Sequence, residues 1–433
     1  MGPLDQVLPA SATLTPEGHL SVGGCDLTAL AEEHGTPLVV YDEGELRAAV
    51  RGYRDAFAAL APDAEVLYAS KAYFGLALLR MVRDEGLSVD VASGGELYAA
   101  LRAGFPPERI HMHGNNKDAR EVGEALEAGV GTIIVDNHDE IALLESEAAA
   151  RGVRQRVLVR VTPGITPDTH VAISTGQVDS KFGFPLGDGL ARAGVEAVRS
   201  APHLELAGLH AHLGSQLLRL DVIASAAAVL ADFAAECGGG DLRVMDMGGG
   251  LGIAYTREHD PPSIADFAEA VVEPVRAEWA RVGLPMPKIM VEPGRSIVGR
   301  AGLTLYRVGG VKHIPGVRTY ASVDGGMSDQ LRPMLYGSVY EPILANRADA
   351  EPNGSVRLVG KHCESGDILV REASLPPLSV GDLVCLPATG AYGVAMASNY
   401  NGVPRPAVVF VNDGRARVVS RRETYADILA REV

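Results

Sequence analysis

The sequence predicts a (β/α)8 barrel of the TIM type with a discontinuous all-β domain (sandwich- or barrel-like) beside it. Three observations lead there. Short β-branched apolar segments alternate with Ala/Leu/Glu-rich stretches of helical spacing, and that alternation implies a parallel sheet with helical crossovers. Eight such units precede about residue 297, the number that closes a barrel. Beyond that point the helical signal fades, and apolar runs are broken by Gly, Pro, Asn and Asp turns. An open doubly wound sheet is the alternative that the pattern alone leaves.

The segments fall in order. HLSVGG and TPLVVYD flank one helical stretch, LTALAEEHG, within residues 1–43, which are expected to join the β-domain. The barrel is expected over 44–296. Its strands are EVLYASK (65–71), SVDVAS (88–93), IHMHG (110–114), TIIVD (132–136), RVLVRVTP (156–163), LAGLHAHLG (206–214), VMDMGGG (244–250) and KIMVEPG (288–294). The first four centres lie about 22 residues apart, room for one strand, one helix and two short loops. A Gly/Pro/Ser/Thr-rich stretch at 162–184 breaks the period. A long loop on the catalytic face of a barrel is a candidate lid. Residues 297–433 supply GLTLYRVGGVKHI, TYASVDGG, SVRLVGKH, DLVCLPAT and PAVVFVNDGRARVVS as strands.

Composition narrows the class of function. A chain of 433 residues exceeds one ordinary core, so two domains are expected. The net charge of −16 argues against nucleic acid or an anionic membrane bound through bulk electrostatics. No apolar run is long enough to span a bilayer, and the N-terminal stretch shows no basic region ahead of an apolar one. Cys25, Cys237, Cys363 and Cys385 are scattered without C-x-x-C spacing, which suits a reducing cytoplasm with no disulfide framework or structural metal.

Catalytic groups of a barrel gather at the C-terminal ends of its strands. There the sequence places Lys71, Asp90, His113 with Asn115, Arg160, His212, Gly248 to Gly250, and Glu292. A lone lysine at a strand end is ordinarily a surface residue, and a glycine triplet is often only a loop. Together they mean more. GGG after strand seven lets backbone N–H groups approach an anion. EPGR follows strand eight, and barrel phosphate sites are built after strands seven and eight. A lysine opposite a phosphate site is what covalently held pyridoxal phosphate requires. Asp90 and Arg160 read equally well as a structural ion pair, and His113 and Asn115 as packing.

YASK, HAHLGSQ (210–216), DMGGGLGIAY (246–255), EPGRSIVG (292–299), VDGGMSDQLRPMLY (323–336), KHCESGD (361–367) and ATGAYGVAMASNYN (388–401) occur in this order. They resemble the motifs of diaminopimelate decarboxylases, within the wider class of barrel-type pyridoxal enzymes. The resemblance implies that Lys71 holds pyridoxal 5'-phosphate as a Schiff base, with Glu292 at the pyridine nitrogen and His212 stacked on the ring. It implies that Ser215, Gly249, Gly250, Gly294 and Arg295 surround the phosphate, and that Tyr392 meets cofactor and substrate. Cys363 would donate a proton from the partner subunit of a homodimer whose active sites lie at the interface. A thiol suits that task, its pKa being close enough to neutrality. Arg332, with Arg295 and Tyr336, would take the far carboxylate of the amino-acid substrate, and Glu364 its far amine. The implied reaction is decarboxylation of meso-diaminopimelate to L-lysine and CO2, the last step of lysine biosynthesis.

A decarboxylase of lysine, ornithine or carboxynorspermidine is the main alternative. A racemase fits the barrel but not KHCESGD or LRPMLY. A metal hydrolase would use the pairs His111/His113 and His210/His212, yet would leave the GGG and EPGR loops unexplained. A non-catalytic homologue would be expected to lack Lys71 or Cys363, and both are present. Gly393, where the family often has Cys or another side chain, departs from the pattern and bears on local pocket shape. Cys363→Ala is expected to retain cofactor but turn over poorly, read from cofactor absorbance and CO2 release; unchanged turnover would refute proton donation.

Overall fold

The computed structural model describes residues 6–165 and 180–433. Most of the candidate lid at 162–184 lies outside the described residues. The chain forms two compact units, one of residues 50–252 and 261–294, the other of 1–49, 253–260 and 295–433. The loop at 253–260 thus groups with the sheet unit, a division that the strand pattern does not reveal.

The first unit is a closed barrel of eight parallel strands: β1 (Glu65–Ala69), β2 (Ser88–Val91), β3 (Ile110–Met112), β4 (Thr132–Val135), β5 (Gln155–Thr162), β6 (Leu204–His210), β7 (Val244–Asp246) and β8 (Lys288–Val291). Each pairs with its sequence neighbour, and β8 returns to β1, with Met290 opposite Glu65 and Val291 opposite Val66. Leu67, Ile134, Leu158, Ala207, Val244 and Met290 fill the interior as one buried layer, so the barrel is a packed core. The helices after β2, β3 and β4 begin at Ser93, Asp118 and Asn137, whose side chains accept the N–H three residues on. Each ends at a left-handed glycine, so sequence-local capping sets the length of these three crossovers. Outside the barrel, Tyr53 and Phe57 of the helix Glu43–Leu60 pack with Phe267, centroids 6.2–6.4 Å apart.

Two placements differ from the sequence reading. Asp90 sits inside β2, and Lys71 lies in a single 3₁₀ turn, Ser70–Ala72, just past β1. The parallel register nonetheless brings strand ends to one rim: His210 and Asp246 close β6 and β7, and His113 and Glu292 directly follow β3 and β8. β6 shifts register by a bulge between Leu206 and Gly208. A Cβ on Gly208 would fall 1.9 Å from the Val244 carbonyl oxygen, so the close approach of β6 to β7 requires glycine there.

The second unit holds a small three-stranded sheet and a nine-stranded sheet built on one long strand, Gly302–Ile314. That strand pairs antiparallel with Leu38–Asp42, Leu383–Leu386 and Arg318–Val323 in turn. Leu38–Asp42 is flanked on its other side by Ala407–Asn412, so the N-terminal segment is an inner strand here. A further strand, Ile368–Leu375, pairs with Gly354–Val359 and has no counterpart in the sequence reading. No helix among the described residues is long and apolar enough to cross a membrane. Gly208→Ala is expected to destabilise the barrel by about 2 kcal/mol or more, measured by denaturant unfolding.

Candidate active site

In the barrel unit, Glu292 is buried, and its Oε1 meets His113 Nε2 in a short contact and His210 Nε2 at 3.4 Å. The two imidazoles lie edge to face at 4.7 Å. Burial depresses the pKa of both histidines. Burial alone would raise Glu292, but the same two histidines outweigh it and hold the carboxyl well below its usual range. Neutral rings set against the carboxylate reconcile the two directions without two buried imidazolium charges. Asp246, buried beside them, is pushed well above the usual range by desolvation and then by the charge of Glu292, although the Gly248 N–H donates to its Oδ1 at 2.8 Å. The surroundings thus push the two rim carboxyls in opposite directions. Potential ligand atoms of His113, His210, Asp246 and Glu292 lie within 4.8 Å of one another, a span that a divalent cation would also fit.

Lys71 Nζ lies 3.8 Å from Asp90 Oδ2. Desolvation raises the buried Asp90 to about 6. His212 accepts the Gly249 N–H on Nδ1 at 3.3 Å, which leaves Nε2 as the protonated ring nitrogen. Burial and then Lys71 hold its pKa well below the ordinary value, so a flat, uncharged ring stands at the strand end. Gly249 crosses so close to β8 that an added Cβ would lie 2.2 Å from the Glu292 carbonyl oxygen. The loops after β6 and β7 are stitched together by Leu217 N–H to Gly250 O (2.8 Å) and Gly252 N–H to Leu217 O (2.9 Å). This ties the loop of Ser215 to the glycine run. Gly294 crosses the end of β1, where an added Cβ would come 3.0 Å from the Ala69 Cβ. Arg160 pairs loosely with Asp136 at 3.8 Å; Asn115 is exposed.

In the sheet unit, Arg295 and Arg332 are both buried among phenols. Arg295 Nη1 donates to Tyr255 Oη at 2.5 Å, and Arg332 Nη1 to Tyr340 Oη at 2.6 Å. Tyr392 stands with its ring centroid 4.9 Å from the Arg295 guanidinium carbon and 5.9 Å from that of Arg332. Its φ of +65° is rare for a side chain of that size. Tyr336 is half-buried; the tyrosine that bonds Arg332 is Tyr340, four residues on. A Cβ on Gly393 would meet the Thr389 carbonyl oxygen at 2.9 Å, so the family's usual side chain there requires a local shift.

The turn before Arg332 is locked by Asp329. Its Oδ1 accepts the Gly326 N–H at 2.9 Å, and Tyr306 Oη donates to its Oδ2. The loop of Cys363 and Glu364 hangs on Asp367, which accepts the His362 and Met327 N–H groups at 3.0 and 2.8 Å. The Cys363 N–H donates to Asn401 Oδ1 at 2.9 Å. Cys363 and Glu364 are exposed, whereas Cys25, Cys237 and Cys385 are buried.

Comparison with known proteins follows this geometry. Residues 43–299 match the family described as pyridoxal-dependent decarboxylase, pyridoxal binding domain. Diaminopimelate decarboxylase of Bacillus subtilis is 47% identical over 95% of this chain and 94% of its own length. That of Mycobacterium tuberculosis is 46% identical over 99% and 98%. The chain belongs to the diaminopimelate decarboxylase family. The crystal structure of diaminopimelate decarboxylase from "m. jannaschi" superposes with a TM-score of 0.91 at 32% identity, covering 98% of both chains. A second structure of that enzyme is a complex with L-lysine. Pyridoxal phosphate is the cofactor of a diaminopimelate decarboxylase, and the barrel residues fit it: Glu292 presents a buried carboxylate oxygen without a well-aligned donor, and a glycine run leaves room that side chains would fill.

Sequence reasoning did not assign His210, Asp246, Tyr255 or Tyr340 to the site. The first three lie within motifs that it did use, HAHLGSQ and DMGGGLGIAY, and Tyr340 lies four residues after LRPMLY; a period-two reading back from His212 reaches His210. Desolvation raises the carboxyl of Asp329 to about 6. Between pH 4 and 6 the folded chain therefore keeps a proton that the unfolded chain has lost. Its stabilising contribution is full below about pH 4 and falls by about 3 kcal/mol as pH rises to 6. Asp329→Asn is expected to remove that slope relative to the parent protein, read from urea midpoints at pH 4.5 and 6.5.

Proposed function

We propose that the chain decarboxylates meso-diaminopimelate to L-lysine and CO2 with pyridoxal phosphate, acting as a cytoplasmic homodimer. The membership of the diaminopimelate decarboxylase family supports the reaction. The observation that carries the substrate is Arg332. It is buried, its hydrogen bond goes to a phenol, and among the described residues no carboxylate pairs with it. A guanidinium so placed awaits an anion from outside the chain. Diaminopimelate has a second carboxylate to give; ornithine has none.

Bound pyridoxal phosphate supplies the electron sink that accepts the pair left when CO2 departs. The chain's residues do the rest. Lys71 carries the amine that holds the cofactor. Glu292, kept ionised by His113 and His210, accepts the ring N–H, and His212 offers a neutral ring to stack on. Backbone N–H groups around Ser215, Gly249, Gly250 and Gly294 receive the phosphate, with Arg295 as counter-charge. Arg332, Arg295, Tyr336 and Tyr392 bind the substrate carboxylate end and Glu364 the far amine. Cys363 returns a proton to the α-carbon; its exposure suits delivery across a subunit interface.

Leaving a buried guanidinium unmet costs on the order of 1–3 kcal/mol, about ten- to a hundredfold in selection. With pyridoxal phosphate added, CO2 release from meso-diaminopimelate is expected to exceed that from lysine or ornithine by at least that factor in kcat/KM. Equal or greater release from ornithine would keep the cofactor chemistry and discard the substrate.

A further inference from the structure

The two buried arginines of the sheet unit are joined through one residue that no role above includes, Tyr255. Its phenol oxygen accepts from Arg295 Nη1 at 2.5 Å. Its ring lies 4.7 Å from the Arg332 guanidinium carbon and 5.7 Å from that of Arg295. The ring is itself fixed edge-on against Tyr340, 5.4 Å away at 87°, and Tyr340 holds Arg332 from the other side. The backbone is anchored too, since the Tyr255 N–H donates to His259 Nδ1 at 3.1 Å and Arg257 Nε to Glu341 Oε1 at 2.8 Å. Tyr255 is 4% exposed. It therefore spaces the two guanidiniums rigidly and touches both.

A phenol oxygen that accepts from a guanidinium keeps its own hydroxyl proton to give. Between two cations, that proton has one kind of acceptor to prefer, an anion drawn to the same cations. We propose that Tyr255 is a further specificity-determining residue, tying Arg295 to Arg332 and donating its hydroxyl to the substrate carboxylate held between them. The lowering of its pKa by the two arginines, against the effect of burial, agrees with a strengthened donor. The inference rests on the substrate reading above and adds a third donor to it.

The test uses Tyr255→Phe holoenzyme, which keeps the ring over the guanidiniums and removes only the hydroxyl. L-lysine retains the far carboxylate of diaminopimelate, whereas 1,5-diaminopentane has no carboxylate. The expected result is a rise of about tenfold in KM for meso-diaminopimelate and in the Kd of L-lysine by calorimetry. The kcat should stay within about twofold, and the inhibition constant of 1,5-diaminopentane should not move. Tyr340→Phe, which leaves the Tyr255 hydroxyl in place, should raise the same two constants less. Unchanged KM and lysine affinity in Tyr255→Phe overturn the inference. So does an equal weakening of lysine and 1,5-diaminopentane with a lowered Tm, which marks a purely structural tyrosine. Failure of the unaltered enzyme to release CO2 from meso-diaminopimelate sinks the substrate reading instead, while the lysine calorimetry still decides whether Tyr255 binds a carboxylate.

Discussion

The return of β8 to β1 is the pairing on which the barrel site depends. It is short, two residue pairs, yet it sets Glu292 at the end of the last strand on the same rim as Lys71 beyond the first. Without closure the two would sit at opposite edges of an open sheet. Closure also explains the glycines: backbones that converge on a rim this tight leave no space for Cβ atoms at Gly208 and Gly249.

Closure has an electrostatic cost. It gathers Asp90, Asp246 and Glu292 with His113 and His210 out of water. A buried carboxylate survives only with polar partners beside it, and the rings of His113 and His210 stand against Glu292. Desolvation and then the charge of Glu292 push the Asp246 carboxyl up. The sheet unit faces the opposite problem, two buried cations, and answers it with phenols. Aromatic faces and phenol oxygens stabilise a guanidinium without neutralising it, so the arginines remain able to bind an anion.

The barrel was legible because alternation of strand and helix is a local property, written in residue types a few positions apart. Lys71, His212, Glu292 and the glycine run were legible through motif order. The partners of Glu292 were not. His-x-His spacing suggests that both histidines of a pair serve one site, yet His111 goes to Glu65 at the opposite end of β1, 3.1 Å away, while His113 goes to Glu292. One histidine from each of two pairs meets the carboxylate, a combination that exists only after eight strands close. Tyr255 and Tyr340 were hidden for the same reason, since their partners lie 40 and 8 residues away in sequence. The strand Ile368–Leu375 was missed because its charged residues, Arg371 and Glu372, interrupt the apolar run.

The inner position of Leu38–Asp42 in the sheet has a consequence for biosynthesis. This strand leaves the ribosome well before its two neighbours, which come from residues 302–305 and 407–411. The nearer of them follows after about 260 residues, on the order of 10–50 s of translation. For that interval a largely apolar strand, LVVYD, has both edges unpaired while the barrel segments emerge behind it. The nascent chain must therefore keep this strand from pairing with the wrong edge until residues 407–411 arrive.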